Sequence, residues 1–403
     1  MWATIDDVRE KVGNYRVEPP GLFRGRGEHP KMGRIKARIL PEDITINIGR
    51  DAPVPVPLPG HKWKQVIHND TVTWLAGWHD TINTKDWKYV QFGATSAIKS
   101  SSDMQKYEKA RALKLAIDVI RRDYLNKMKS GSALEQQLAV TTYLVDKLAL
   151  RAGGEKEEDL ADTVGVCTLR KGHVEFLPPS TLKLDFLGKD SIRYLQEHEV
   201  DPLVFDAMQK FCKGKKPDHD IFDQIDPTKV NKHLQSLMPG LTIKVFRTYN
   251  ASYTLNKLLK ETTDTSATVA MKKAVYDAAN KEVAVLCNHQ KGVGKSFDAQ
   301  MEKLVDKKKG MEKELADLKK DKSEKGKSKV ESMKERLGKL ELQMKMKDEL
   351  KTVSLGTSKI NYLDPRITLA WCKQHEVPPP TVYTRALVEK FNWAMEVEPD
   401  FDF

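Results

Sequence analysis

Hydrophobic residues change their spacing along the chain, and the spacing predicts the elements. Over the first hundred residues apolar positions alternate only in short runs, such as Ile44–Ile48 and Thr71–Trp74, which read as strands. Pro19, Pro20, Pro30, Pro41 and the alternate prolines from Pro53 to Pro59 interrupt any long helix there. From about position 103 the period becomes helical. Leu113, Ile117, Ile120 and Tyr124 follow 4-3-4 steps, one apolar face, and a second helix is predicted over Leu134–Leu150. Leu182, Leu184 and Phe186 then alternate into Leu187-Gly188-Lys189-Asp190, and Ile192 and Tyr194 alternate again. This predicts a hairpin with Lys189 at its tip. Further helices are expected from about 201 to 287.

The stretch 291–350 has a different pattern. Phe297, Met301, Leu304, Met311, Leu315 and Leu318 form one heptad seam, and Val330, Met333, Leu337, Leu340 and Met344 form another. The helix-poor run Lys322–Lys327 separates them. Two seamed helices joined by a short turn predict an antiparallel coiled-coil hairpin. One long helix or a charged tether are the alternatives, and the phased seams argue against the tether. Farther on, Asp364 is an N-cap and Pro365 an N1 residue for a helix carrying Ile367, Ala370 and Trp371, with Tyr362 just before its start. A last helix is expected over about Val382–Met395, followed by an acidic, aromatic tail.

Composition narrows the class. At about 100–200 residues per domain, 403 residues make two to four units. The apolar fraction of 39% is enough for a sizeable core. The formal net charge is +11, from 68 Lys+Arg against 57 Asp+Glu, which suggests a polyanionic partner: nucleic acid first, an anionic membrane second. No apolar run approaches the length of a membrane span, and the first residues have no signal-like core. Cys167, Cys212, Cys287 and Cys372 are too widely separated for zinc-ligand pairs or a small disulfide framework, which fits a reducing intracellular compartment. Basic residues cluster at Arg24, Arg26, Lys31, Arg34, Lys36 and Arg38, against Glu28 alone. Gly21, Gly25 and Gly27 sit among them, where a backbone can approach a phosphate closely.

Common catalytic patterns fail. Lys291-Gly-Val-Gly-Lys295-Ser296 has the end of a P-loop, but the required first glycine is His289, so these glycines read as a hinge into the predicted coiled coil. The histidines show no ligand spacing. There is no paired-carboxylate signature and no Ser or Cys nucleophile motif.

Six stretches carry a more specific signal: Pro19-Pro-Gly-Leu-Phe-Arg-Gly-Arg-Gly27, Asp146-Lys-Leu-Ala-Leu-Arg-Ala-Gly-Gly-Glu155, Asp185-Phe-Leu-Gly-Lys-Asp-Ser-Ile-Arg193, Lys244-Val-Phe-Arg-Thr-Tyr-Asn-Ala-Ser252, Leu286-Cys-Asn-His-Gln290 and Gly356-Thr-Ser-Lys-Ile-Asn-Tyr-Leu-Asp-Pro-Arg366. In this order, with a predicted coiled coil between the last two, they resemble the eukaryotic type IB DNA topoisomerase family from about residue 13 to the C-terminus. The resemblance implies an α+β multidomain fold. It would have a partial cap or clamp lobe (1–106, strand-rich), a mostly helical catalytic domain with small antiparallel sheets (107–290), a coiled-coil linker (291–350) and a C-terminal domain with the nucleophilic tyrosine (351–403). That family's tyrosine falls on Tyr362, its arginines on Arg151 and Arg247, its lysine on Lys189 and its histidine on His289. The arginines and histidine would hold the scissile phosphate and the lysine would protonate the leaving 5′-oxygen. DNA contacts are implied at Arg26, Lys36, Lys99, Asp190, Thr357 and Asn361. The resemblance also implies a monomer acting on double-stranded DNA in the nucleus, with no cofactor, metal or membrane. Against the family pattern, the chain is expected to begin inside the cap, without the N-terminal tail that carries the import signals. Two rivals follow: a DNA-binding scaffold without turnover, and a tyrosine recombinase, of which a coiled-coil insertion before the tyrosine is not expected.

Overall fold

The computed structural model describes residues 1–154, 160–320 and 323–403. Glu155, which ends the second motif, and Lys322, in the expected turn, lie outside the described residues.

The N-terminal lobe is built of short strands. β1 (Trp2–Ile5) and β2 (Val8–Lys11) form a hairpin across Asp6 and Asp7, both at positive φ, as a tight primed turn requires. β3 (Gly21–Leu22) pairs with β4 (Ile35–Lys36), so the basic stretch is a loop closed at its base by two strands. β5 (Thr45–Asn47), β6 (Gln65–Ile67), β7 (Trp74–His79) and β8 (Trp87–Gln91) form a four-stranded sheet in the order β6-β5-β7-β8. The β5–β6 pair is parallel, whereas β7 pairs antiparallel with both β5 and β8. The proline-rich loop after β5 returns the chain in the same direction rather than as a hairpin. The run at Thr71 is not a strand either. Asn69 Oδ1 accepts from both the backbone N–H and the hydroxyl of Thr71 (2.9 and 2.6 Å), which turns the chain before β7 starts at Trp74.

α1 (Ala97–Met128) crosses the expected boundary at 106/107 without a break, so lobe and core share a continuous helix. Its face Leu113, Ile117, Ile120 and Tyr124 is buried as the period required. It packs on α2 (Ala133–Leu148). Next come β9 (Val174–Leu177), β10 (Thr181–Leu187) and β11 (Arg193–Glu199), an antiparallel sheet in the order β11-β10-β9. Leu182, Leu184, Phe186 and Tyr194 face inward, and Lys189 opens the single 3-10 turn between β10 and β11.

α3 (Pro202–Cys212) and α4 (Pro227–Leu237) each start with an Asp cap followed by proline. α5 (Ile243–Thr262) and α6 (Val269–Leu286) pack on each other. α7 (Phe297–Leu318) and α8 (Glu324–Glu349) form the expected antiparallel pair. Lys308 contacts Glu341 (2.8 Å) and Gln300 contacts Lys347 (2.7 Å), while Met311, Leu315, Met333 and Leu340 are buried between the helices. The break is shorter than Lys322–Lys327, because the Ser323 hydroxyl caps α8 by accepting from Gly326 N–H (3.1 Å).

The chain ends with α9 (Leu355–Asn361), α10 (Pro365–Gln374) and α11 (Arg385–Lys390). The single helix expected over Val382–Met395 is instead α11 between 3-10 turns. Thr384 caps α11 by accepting from Leu387 N–H, and the last turn tightens at Asn392–Ala394. The terminal tail is folded in: Phe403 is buried, and Asp402 is held by Asn256 (2.6 Å) and Lys260 (2.8 Å). α1, α2, α5, α6, the β9–β11 sheet and the segment from Leu363 to Phe403 share one hydrophobic core, from which the α7–α8 cluster is separate. All four cysteines are buried and free. Among the described residues, no helix is long and apolar enough to cross a membrane.

Candidate active site

The site forms where the ends of α2, α6 and α9 meet the N-terminal half of α5. Each side chain is presented by a local device.

Arg151 follows the end of α2, where Ala149 takes a left-handed conformation. The buried Asp146 carboxylate anchors that end, accepting from Arg121 Nε and from the Tyr124 hydroxyl (3.0 Å each), and the Asp146 carbonyl accepts from Asn250 Nδ2 (2.7 Å). Beyond it the backbones at Gly153 and Gly165 touch. A Cβ on Gly165 would lie 2.2 Å from Gly153 N and 2.6 Å from the Arg151 carbonyl. Only glycine permits this approach, which holds the Arg151 segment against Val166, whose N–H donates to the Arg151 carbonyl (2.8 Å).

Arg247 projects from α5 and is buried. One terminal nitrogen donates to the Ala149 carbonyl and the other to the Cys287 carbonyl (2.8 Å), so it joins the C-terminal ends of α2 and α6, where helix dipoles favour a cation. His289 follows α6 through Asn288 at positive φ. Its own N–H donates to the Ala284 carbonyl (2.8 Å). Tyr362 caps the C-terminal end of α9. Its N–H donates to the Ser358 carbonyl (2.9 Å) and its carbonyl accepts from the buried Ser252 hydroxyl (3.0 Å).

These four side chains converge. Arg151 Nη1 donates to the Tyr362 phenol oxygen at 3.0 Å. The Arg247 guanidinium lies 5.0 Å from the centre of the tyrosine ring, and the His289 ring stacks on that ring at 5.1 Å. His289 Nε2 is 3.3 Å from Arg247 Nη2, and its Nδ1 is 2.8 Å from Ser358 Oγ. Burial alone would push the Tyr362 phenol up. The Arg247 and Arg151 charges outweigh it and hold the phenol below its ordinary value near 10. Burial, with the same two cations, pushes His289 down to about 3, so it is neutral at physiological pH. The result is a half-buried, acidified phenol beside two guanidiniums, an arrangement suited to a nucleophile that attacks the electrophilic centre of an anionic group.

Lys189 is placed differently. It is exposed on the hairpin tip, with no hydrogen bond or ion pair to the other four among the described residues. Its neighbour Asp190 pairs with Arg26 (3.2 Å), and the Ser191 hydroxyl donates to the Arg26 carbonyl (3.3 Å). Gly27, at φ +58°, lies against the Ser191 side chain, where a Cβ would come within 2.3 Å. The basic loop thus rests on the tip that carries Lys189. Within the loop Lys31 is buried and donates to Asn83 (3.0 Å), and Lys36 pairs with Glu18 (2.9 Å), while Arg24, Arg34 and Arg38 are exposed. Lys99, in the first turn of α1, donates to Gln91 (2.6 Å). Thr357 and Asn361 lie on α9 beside Tyr362. The Thr357 hydroxyl contacts Ser354 Oγ (2.9 Å), and the exposed Asn361 donates to the Thr357 carbonyl (3.3 Å).

Residues 95–322, more than half of the chain, match the family described as eukaryotic DNA topoisomerase I, catalytic core. The chain belongs to the eukaryotic DNA topoisomerase I family. Residues 1–92 match that enzyme's DNA binding fragment and residues 334–403 the C-terminal topoisomerase domain. The chain is 52% identical over 426 positions to DNA topoisomerase 1 alpha of Arabidopsis thaliana, an alignment covering 100% of this chain and 46% of that protein. It is 48% identical to DNA topoisomerase 1 of Caenorhabditis elegans (99% of this chain, 52% of that protein) and 47% identical to that of Homo sapiens (100% and 56%). The chain spans about half the length of the curated relatives it matches.

Sequence reasoning missed Asp146, Ser252 and Ser358, although each lies inside a motif that supplied a family residue. They were passed over because they support neighbours rather than face the reaction. In the free chain His289 Nε2 faces a guanidinium that has only N–H groups to offer, so here Nε2 accepts.

Proposed function

We propose that the chain is a type IB DNA topoisomerase that relaxes supercoiled duplex DNA, as a monomer, in the nucleus. The observation that carries this is the Tyr362 phenol, acidified and held between Arg151 and Arg247 with neutral His289 stacked on it. In the proposed cycle the phenol gives its proton to solvent and its oxygen attacks the scissile phosphorus, forming a 3′-phosphotyrosine as the bond to the 5′-oxygen breaks. Lys189 protonates that oxygen. One phosphodiester is exchanged for another, so religation needs no ATP. Arg151 and Arg247 fork onto the non-bridging oxygens and supply the positive charge that a metal ion supplies in other phosphoryl transfers. Arg26, Lys36, Lys99, Asp190, Thr357 and Asn361 are the proposed DNA contacts. Residues 1–106, 107–290, 291–350 and 351–403 are the proposed clamp lobe, catalytic domain, coiled-coil linker and tyrosine domain. In the free chain Lys189 sits on a tip reached by the basic loop, so in this reading bound DNA brings its 5′-oxygen to the lysine.

The test is relaxation of negatively supercoiled plasmid in EDTA without ATP, comparing the wild type with Tyr362→Phe. Relaxation and a covalent protein–DNA adduct are expected from the wild type alone. Duplex binding by both proteins with an adduct from neither would instead support a DNA-binding scaffold.

A further inference from the structure

A neutral imidazole carries one N–H, so each of its ring nitrogens either donates or accepts. His289 is buried and lies beside two guanidiniums, which keeps it neutral. Its two nitrogens have one close partner each: Arg247 Nη2 at Nε2 (3.3 Å) and Ser358 Oγ at Nδ1 (2.8 Å). The guanidinium only donates. In the free chain Nε2 therefore accepts, the proton is on Nδ1, and Nδ1–H donates to the Ser358 hydroxyl. A phosphate oxygen reverses the requirement. It offers only lone pairs, so His289 can bind it only with the proton on Nε2. Nδ1 then becomes a buried acceptor that needs a donor. A hydroxyl can accept in one state and donate in the other by rotating about its C–O bond, which a backbone carbonyl oxygen cannot do.

We infer that Ser358 is a positioning residue for strand cleavage: its hydroxyl accepts from His289 in the free enzyme and donates to it once a phosphodiester enters the site. The inference rests on the phosphoryl-transfer reading above. The change is a tautomerisation in which Nε2 gains one proton as Nδ1 gives one up, with no change in charge and no co-reactant. Ser358 is fully buried, so water does not stand in for its hydroxyl. Its carbonyl also accepts from the N–H groups of Tyr362 (2.9 Å) and Leu363 (3.0 Å). One residue therefore fixes the backbone of the proposed nucleophile and the proton position of the proposed phosphate ligand.

The experiment uses the full chain with 15N-labelled histidine. The His289 signals are assigned with His289→Gln, and side-chain nitrogen shifts are recorded without DNA and, in the Tyr362→Phe background, with a duplex oligonucleotide. The expected result is the Nδ1–H tautomer in the free chain and the Nε2–H tautomer on DNA. Ser358→Ala should leave a tautomer mixture on DNA and lower the single-turnover cleavage rate about 10- to 100-fold, the range seen when the hydrogen-bond partner that orients a metal-ligating histidine is removed. Duplex affinity should change far less. Ser358→Thr should restore both tautomer and rate. Ser358→Cys keeps the volume with a weak hydrogen bond and should resemble Ser358→Ala, which separates hydrogen bonding from packing. Wild-type cleavage rates in Ser358→Ala and Ser358→Cys, or one tautomer with and without DNA, would overturn the inference alone. Absence of a covalent adduct with the wild type would overturn the function reading, and this inference with it.

Discussion

Tyr362 is subject to two opposed effects, burial and positive charge, and charge prevails: the Arg247 guanidinium is held beside the ring by two helix-end carbonyls, and Arg151 donates directly to the phenol oxygen. Its ionisation, read at 295 nm as the difference between wild type and Tyr362→Phe, should be centred below pH 10. Arg247→Gln should move it upward, because burial remains while the cation with the larger effect is removed. His289 gives a second pH signature. Its folded value near 3 lies below the unfolded value near 6.5, so between these the unfolded chain binds more protons. Its contribution to stability is complete above about pH 6.5 and is lost as pH falls toward about 3. Urea unfolding from pH 7 to 4 should show a steeper loss for wild type than for His289→Gln, and equal slopes would contradict the assignment. At this scale the family motifs pointed to Arg151, Arg247, His289 and Tyr362, side chains that the fold brings together. The sequence was silent on Ser358, Ser252 and Asp146, because a buried serine or aspartate that orients a neighbour has no spacing of its own.

Among elements, the closest backbone approach in the site is Gly153 against Gly165. Gly165→Ala would place a methyl 2.2 Å from a backbone nitrogen, so the segment carrying Arg151 must shift. We expect a loss of about 1–3 kcal/mol in urea unfolding, with a larger fall in cleavage than in duplex binding because Arg151 moves relative to Tyr362. The α7–α8 hairpin should behave in the opposite way, since its apolar cluster is separate from the main core. Deleting 297–349 should leave the melting temperature of the remainder and cleavage of a short duplex nearly unchanged, while altering plasmid relaxation rate and its salt dependence. Unchanged relaxation would refute a role for the hairpin in strand rotation. Long elements with a strong period, such as α1, α2, the β10–β11 hairpin and the α7–α8 seams, were legible in the sequence. The Asp-Pro signal read at Asp364 also marks α3 and α4. Thr71 and Val382–Met395 were misread because a side-chain turn and a cap, respectively, overrode the apolar pattern. The Gly153–Gly165 approach joins positions that only the fold brings together.

For the whole molecule, the net charge of +11 belongs partly to structure. Within the basic loop Lys31 and Lys36 are engaged by side chains of this chain and Arg26 pairs with Asp190, which leaves Arg24, Arg34 and Arg38 exposed and outside any ion pair among the described residues. Changing these three to Gln should weaken duplex binding evenly across sequences and flatten the log–log salt dependence by about 0.9 for each phosphate no longer neutralised. Fluorescence anisotropy over a salt series measures this, and an unchanged slope would place the DNA elsewhere. The pairing of Gln290 with Val353, and of Lys291 N–H with the Thr352 carbonyl, has a further consequence. The chain leaves for the α7–α8 hairpin directly after His289 and returns just before the helix that bears Tyr362. A single cut at the hairpin's far end would divide the proposed catalytic residues between two polypeptides, one with Arg151, Lys189, Arg247 and His289, the other with the tyrosine. On the proposed mechanism neither piece would cleave DNA alone, and the two mixed together would act as a two-component enzyme whose rate depends on the concentration of the scarcer part.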